Sequence, residues 1–186
     1  MSEGFYSQFE ALHRGSTDSI KQRLAVYQPL LEALQHSFDT SVVGLDLGCG
    51  RGEWLAFASE QGLKMTGVDS DPDMLNQADG SLATLVISDA IEYLQQCPAH
   101  SFHLISPFHL IEHLPFELLA TLLEQAQRVL APGGILLLET PNPENPLIGS
   151  CYFYMDPTHK APLPPALMDF AVQHYGFSAA NIWRLN

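Results

Sequence analysis

The chain has 186 residues, of which 46% are hydrophobic and 16% charged, and its formal net charge is -13 at pH 7. This composition excludes a disordered protein, and no apolar run approaches the roughly 20 residues that a membrane span needs. The acidic excess disfavours a nucleic-acid partner, because such binding relies on cationic side chains that neutralise phosphates. The N-terminus shows no secretion signal and the three cysteines no metal-type spacing. We therefore expect one soluble domain with reduced thiols in the cytoplasm.

Apolar residues recur at helical spacing through most of residues 5–36, with a polar break at residues 14–18. This pattern predicts two helices before the first strand. We expect residues 1–40 to form a helical lid over the remaining domain, residues 41–186. Arg14, in the break, could donate a charge-assisted hydrogen bond to a carboxylate of a bound cofactor, and an ordinary surface role is the alternative.

A glycine-rich segment follows the first predicted strand. The apolar run that ends at Leu47 is followed by Gly48, Gly50 and Gly52 and then by a helical pattern, which predicts a strand, a tight loop and a helix. Glycine admits positive φ and has no Cβ, so a ligand can lie against such a loop. A dinucleotide site would need glycine or alanine in place of Glu53, whose carboxylate would repel a pyrophosphate but not a sulfonium. An unliganded turn is the alternative.

Two further acidic residues lie at predicted strand ends. Asp69 closes the second strand, 17 residues past Gly52, close to the offset of roughly 20 at which nucleotide folds place an acidic residue on ribose hydroxyls. Asp71 is the better cap for the helix that follows, predicted from Pro72 to Asp79. Asp89 follows the third strand and could both cap the next helix and contact a ligand.

The rest of the pattern continues to alternate strands and helices. It predicts a fourth strand at residues 102–106, a helix at 115–130, a fifth strand at 135–139, a last helix at 166–175 and a sixth strand at 177–185. Alternation of this kind predicts an α/β fold of three layers, with a doubly wound, mostly parallel sheet.

The turn after the fourth strand carries titratable side chains. His109, Glu112 and His113 follow an i, i+3, i+4 spacing, which a helical turn would put on one face. Because histidine titrates near neutrality, His109 or His113 could act as a general base. A divalent metal held by these three residues and the distant His159 is the less favoured alternative, since the spacing alone is permissive.

Together these motifs resemble class I S-adenosylmethionine-dependent methyltransferases over about residues 40 to 140. The resemblance implies a Rossmann-like fold, S-adenosylmethionine (SAM) as cofactor and S-adenosylhomocysteine (SAH) as product. It implies that Asp89 accepts a hydrogen bond from the adenine amino group while the backbone beside it addresses the ring. His103 departs from the Asp that many relatives carry. The predicted cofactor-binding residues are Arg14, Asp46, Gly48, Cys49, Gly50, Asp69, Ser70, Asp89, Ala90 and Phe108.

A narrower resemblance covers most of the chain. Residues 5–16, 50–54, 108–113, 139–145 and 156–159 are similar to the methyltransferase domains of bacterial surface-polysaccharide proteins, among them the methyltransferase-kinases that terminate O-antigen chains. This resemblance implies O-methylation of a sugar or phosphosugar in lipopolysaccharide biosynthesis, and a downstream domain. Class I sheets normally end with an antiparallel seventh strand, so we expect the C-terminal strands to be incomplete and the chain to be a truncated one.

Three other functions stay open at this point. The chain could be a cofactor-binding regulatory or scaffold module without turnover of its own. It could methylate a different small molecule. A dinucleotide oxidoreductase is the third alternative, and Glu53 argues against it.

Overall fold

The computed structural model describes residues 17–185, with side chains from Ser19 onward, so Arg14 and the first predicted helix lie outside the described residues. The five strands of the described part are β1 (Val43–Leu47), β2 (Lys64–Asp69), β3 (Thr84–Ile87), β4 (Phe102–Ser106) and β5 (Leu130–Leu136). They form one parallel sheet in the order β3-β2-β1-β4-β5. The predicted α/β class with a doubly wound sheet is confirmed. The strand order reverses between β1 and β4, and ligands bind at such switch points, beyond the carboxyl ends of the strands.

The helices that connect and cover the strands are α1 (Thr17–Leu24), α2 (Gln28–His36), α3 (Glu53–Glu60), α4 (Pro72–Leu75), α5 (Ala90–Gln96), α6 (Phe116–Val129), α7 (Pro146–Ser150) and α8 (Pro165–His174). A short 3-10 turn, Ala25–Tyr27, separates α1 from α2. Pro29 has no N–H for the Ala25 carbonyl, and the Gln28 N–H bonds to that carbonyl instead. No described helix combines the length and apolarity needed to cross a bilayer.

Two hydrophobic cores pack on the sheet. One joins the sheet to buried side chains of α5, α6 and α8, such as Leu94, Leu122 and Val172. The other contains buried side chains of α1, α2 and α3, such as Leu31 and Trp54. The described part of the predicted lid therefore contributes to a main core, because burying an apolar helical face is favourable by about 25 cal/mol per Å².

Helix α6 passes directly into β5, although the strand begins with Leu-Ala-Pro-Gly-Gly. The pairing with β4 skips residues 131–134, since Phe102 is opposite Leu130 while Leu104 is opposite Ile135. An added Cβ at Gly134 would lie 2.9 Å from the Ala131 carbonyl oxygen. This bulge therefore requires a residue without a side chain. The fifth strand, predicted at residues 135–139, begins earlier and ends at Leu136.

Two predicted elements are wrong. Helix α4 ends at Leu75 and not at Asp79, where the chain turns instead. The described residues 177–185 form no strand. Their strand-like apolar pattern is explained by side-chain packing: the Trp183 ring stacks on Tyr27 with centroids 6.0 Å apart, and Arg184 forms an ion pair with Glu144.

Candidate active site

A large open cleft lies at the carboxyl ends of the central strands. Nine of the predicted cofactor residues line it: Asp46, Gly48, Cys49, Gly50, Asp69, Ser70, Asp89, Ala90 and Phe108. The same cleft is also lined by titratable and hydroxyl-bearing residues of two later segments, namely His109, Glu112, His113, Asp156, Thr158 and His159. The fold thus brings both groups of sequence motifs to one place.

The glycine loop has the conformation that its sequence predicts. Gly48, Gly50 and Gly52 have φ values of +69°, +53° and +78°. The N–H groups of Gly48 and Cys49 donate to the Val68 carbonyl at 2.8 and 3.1 Å, which fastens the loop to the end of β2. An added Cβ at Gly50 would meet no heavy atom within 4 Å. The backbone of Gly50 therefore faces open space, where a ligand can lie against it.

The Asp69 carboxylate connects the second strand to this loop. Its Oδ2 accepts the Gly50 N–H at 2.8 Å and its Oδ1 accepts the Asp71 N–H at 2.9 Å. Each carboxylate oxygen can accept a further hydrogen bond, so the oriented group suits two vicinal hydroxyls. Ser70, which is exposed, continues the same wall of the cleft.

Asp46 and Cys49 lie deeper than their neighbours. Asp46 is only 2% exposed, and Ser106 Oγ, which accepts a hydrogen bond from Trp54 Nε1 at 2.7 Å, lies 3.1 Å from its Oδ1. Burial raises the pKa of Asp46 well above its ordinary range, although the Ser106 hydrogen bond opposes the shift. Burial likewise raises the pKa of the Cys49 thiol, so the Cys49 side chain is neutral and inert. No motif in the sequence indicates Ser106 or the Trp54 indole as parts of this network.

Asp89, Ala90 and Phe108 also line the part of the cleft around the glycine loop and Asp69, which we call the cofactor half. Asp89 Oδ1 accepts the N–H groups of Ile91 and Glu92 at 2.8 and 3.1 Å, as a cap of α5. The predicted capping role of Asp89 is thus confirmed, and its contact with a ligand stays a prediction. The Phe108 ring packs against neighbouring aromatic rings in the second core.

His109 is held between two carboxylates. Its Nδ1 lies 3.3 Å from Glu112 Oε1 and its Nε2 lies 3.1 Å from Glu139 Oε1. Partial desolvation lowers the pKa of His109, whose side chain is about half exposed, but hydrogen bonds and charge from Glu112 and Glu139 outweigh it and raise the pKa to about 10. A protonated imidazole cannot accept a proton, so we do not retain His109 as the base. Its φ of +50° takes it out of the helical turn, so the expectation that three residues share one helical face is wrong for His109.

Glu139 and Tyr27 are site residues that the sequence analysis missed. The buried Tyr27 hydroxyl donates to Glu139 Oε2. Burial raises the pKa of Glu139, but His109 and Tyr27 lower it by more, so the carboxylate stays ionised. Tyr27 resembled an ordinary core residue because it lies on the apolar face of its helix.

His113 has surroundings of a different kind. Its Nδ1 lies 2.7 Å from Thr158 Oγ1. Burial lowers the pKa of His113, and His159 and His109 lower it further against the opposing charges of Glu112 and Asp156. The His113 imidazole is therefore neutral at pH 7 and has one nitrogen without a proton.

Three of the four predicted metal candidates come together. Glu112, His113 and His159 each offer a ligand atom within 4.8 Å of the others, and His109 is outside this group. The Glu112 carboxylate, 1% exposed, already accepts one hydrogen bond from Thr140 Oγ1 and lies 3.3 Å from His109 Nδ1. The geometry permits a cation, but these bonds satisfy the carboxylate without one.

The sequence and the fold of this chain were compared with those of known proteins. A family model described as "Methyltransferase domain" matches residues 19–177. A SAM-dependent methyltransferase from Archaeoglobus fulgidus is 36% identical, with a TM-score of 0.81 over 93% of this chain and 74% of that one. The ubiquinone biosynthesis O-methyltransferase of Actinobacillus pleuropneumoniae is 28% identical over 107 residues, 53% of this chain and 45% of that protein. The chain thus spans less than half the length of the curated relatives it matches.

A crystal structure of monomeric WbdD is similar with a TM-score of 0.58 and 21% identity, over 67% of this chain and 32% of that one. At this identity the likeness is one of fold alone.

Proposed function

Because the chain belongs to the class I SAM-dependent methyltransferases, we propose that it transfers the methyl group of SAM to a hydroxyl oxygen of a sugar or phosphosugar in surface-polysaccharide synthesis. The observation that carries the proposal is the position of Asp69, bonded to Gly50 where the glycine loop faces the open cleft. In the proposal Asp69 binds the ribose hydroxyls, the loop backbone lies along the methionine part of SAM, and Asp89 accepts from the adenine amino group. Residues 1–40 cover the bound cofactor.

The reaction is an in-line displacement at the methyl carbon. The acceptor oxygen forms a bond to that carbon while the sulfur–carbon bond breaks, and the electron pair stays on sulfur to give SAH. Alignment of the two reactants can contribute about 7 to 11 kcal/mol. The hydroxyl proton passes to His113, which is neutral and lies on the wall of the same cleft.

The part of the cleft around His109, His113 and Thr158, which we call the acceptor half, suits a polyhydroxylated acceptor. Its lining includes several side chains that can donate or accept hydrogen bonds, namely Thr140, Asn142, Glu144, Asn145 and Arg184. The exposed Trp183 ring lies beside them and can pack against the apolar face of a sugar ring. Free thiols at Cys49 and Cys97 fit synthesis of the acceptor in the cytoplasm.

A phenol is the second candidate acceptor. The ubiquinone biosynthesis O-methyltransferases among the relatives favour it, as does the aromatic group of Tyr27, Phe108 and Trp183 beside the cleft. A phenol has a lower pKa than a sugar hydroxyl and would depend less on His113.

Isothermal titration of SAH into the purified chain, with and without a divalent metal, is the first test. We expect binding that the metal does not change. Transfer of radiolabelled methyl from SAM to a panel of sugars, phosphosugars and phenols then identifies the acceptor class. Absence of SAH binding would contradict the proposed cofactor site, and binding without transfer to any acceptor would favour the regulatory or scaffold alternative.

A further inference from the structure

We infer that Thr158 and Asp156 are positioning residues that hold His113 in a single tautomer, with its proton on Nδ1 and its lone pair on Nε2. The inference rests on the proposed function, in which His113 accepts the hydroxyl proton. It assigns a role to the Asp-Pro-Thr-His segment, residues 156–159, for which the sequence offered only a resemblance.

His113, Thr158 and Asp156 form a chain of hydrogen bonds, which we call the relay. The bonds around Thr158 determine which atom donates at each step. Thr158 Oγ1 donates to Asp156 Oδ1 at 2.6 Å, and the Thr158 N–H donates to the same oxygen at 2.8 Å. A hydroxyl has one hydrogen, so Thr158 Oγ1 can take part in a second hydrogen bond only as an acceptor. The contact of 2.7 Å between Thr158 Oγ1 and His113 Nδ1 therefore requires the proton of the neutral ring to lie on Nδ1.

Contacts outside the relay keep the two segments in place. The Lys160 N–H donates to the Glu112 carbonyl at 2.8 Å, next to His113 in sequence. The His159 ring packs edge to face on the His113 ring with centroids 4.7 Å apart, and its Nδ1 lies 2.6 Å from the Phe153 carbonyl oxygen. Asp156 is only 14% exposed, so little water competes for its carboxylate. The relay is thus held by the surrounding packing, as a preorganised site requires.

The relay has a consequence for the proton transfer. Glu112 and His109 face His113 from its own turn, and Asp156 and His159 face it from the opposite segment. When Nε2 accepts the hydroxyl proton, the new positive charge is shared with Nδ1–H, which is bonded through Thr158 to the Asp156 carboxylate. Asp156 therefore stabilises the imidazolium without taking the proton. Thr158 holds the neutral ring in the tautomer in which Nε2 is the basic nitrogen.

The test is a long-range ¹H–¹⁵N NMR spectrum of the histidine rings in the full chain saturated with SAH, with His113→Gln used to assign the His113 signals. We expect the wild type to show a protonated Nδ1 and an unprotonated Nε2 at neutral pH. Thr158→Val, which keeps the shape but removes the acceptor, should move the protonated-nitrogen signal toward Nε2. Thr158→Ser should restore the wild-type pattern, which a role in packing alone would not predict.

A wild-type spectrum with the proton on Nε2 would overturn the inference, and so would a Thr158→Val spectrum equal to the wild type. If Thr158→Val does not fold, Asp156→Ala replaces it, because loss of the Asp156 acceptor frees the Thr158 hydrogen and should lower the Nδ1–H fraction. SAH affinity is measured on the same samples, so failure of the cofactor site is distinguished from failure of the relay.

Discussion

The two halves of the cleft are built from different groups. In the cofactor half, backbone N–H groups hold the glycine loop: Gly48 and Cys49 bond to the Val68 carbonyl, and Gly50 bonds to Asp69. In the acceptor half, side chains bond to side chains, as in the contacts of His113 with Thr158 and of His109 with Glu139. The cofactor half should therefore be sensitive to changes of shape, and the acceptor half to changes of a single ionisable group.

The largest expected effect lies in the acceptor half. With an acceptor identified by the methyl-transfer screen, His113→Gln should lower kcat by about 10²- to 10⁴-fold, the usual contribution of a positioned base. SAH affinity, measured by titration, should stay within the error of the wild type, because His113 is in the other half. His174→Gln, an exposed histidine of α8, is the matched control. Equal kcat in His113→Gln and wild type would contradict the proposed base.

Asp69→Ala should give the next largest effect, in the cofactor half. The Asp69 carboxylate orients the Gly50 N–H, and hydrogen bonds to a charged group contribute about 1.5–3 kcal/mol each. We expect SAH affinity to fall about 100-fold, which corresponds to about 2.7 kcal/mol. Asp73→Ala, an exposed acidic residue of the neighbouring helix, is the control that should bind SAH normally. Unchanged binding by Asp69→Ala would exclude the assigned ribose contact.

Gly67→Ala tests whether shape governs the cofactor half. The added Cβ would lie 2.3 Å from Leu55 Cδ1 and 2.8 Å from Cys49 Sγ, directly below the glycine loop. We expect the free energy of unfolding in urea to fall by about 1–3 kcal/mol, the usual cost of overpacking. Gly80→Ala is the matched control, since its Cβ would make an ordinary contact of 3.7 Å with Leu85. Similar stability of both variants would show that Leu55 and Cys49 can move to accept the added methyl group, and would contradict the proposed sensitivity to shape.

A smaller effect is expected where the two halves meet. Trp183→Ala removes the ring that stacks on Tyr27, and aromatic pairs contribute about 0.5–1.5 kcal/mol beyond their buried area. The free energy of unfolding should fall by about that amount, and Trp183→Phe should recover most of the loss. If both variants were as stable as the wild type, the contact of the C-terminal segment with Tyr27 would not contribute to the fold.

The smallest effect depends on pH. The pKa of His109 rises on folding from its ordinary 6.5 to about 10, so its stabilisation is complete below pH 6.5 and is lost as pH rises through about 10. The His109 side chain is 54% exposed, so solvent screening limits the contribution to the ~0.2–1 kcal/mol of an exposed ion pair. Urea unfolding at pH 6, 8 and 10 should show wild type and His109→Gln converging as pH rises. Parallel curves would contradict the ion pairs.

The predictability of the two halves differs for a physical reason. In the cofactor half the loop and Asp69 are close in sequence or fixed by strand register, so the period of the apolar residues and the positions of Gly48, Gly50 and Asp69 were enough to predict that these residues come together. In the acceptor half the partners are far apart: Tyr27 and Glu139 are 112 residues apart, and His113 and Thr158 are 45. No local spacing encodes such a pair.

The sequence by itself determined the α/β class, the parallel sheet, the glycine loop and the acidic residues at the strand ends, because each depends on short-range sterics and on apolar periodicity. Only the tertiary structure decided which histidine is protonated, since the pKa depends on the carboxylates that packing brings near it. It also decided that residues 177–185 form no strand, because Trp183 and Arg184 find partners on other elements. Those partners are set by packing in three dimensions and not by the local pattern of the chain.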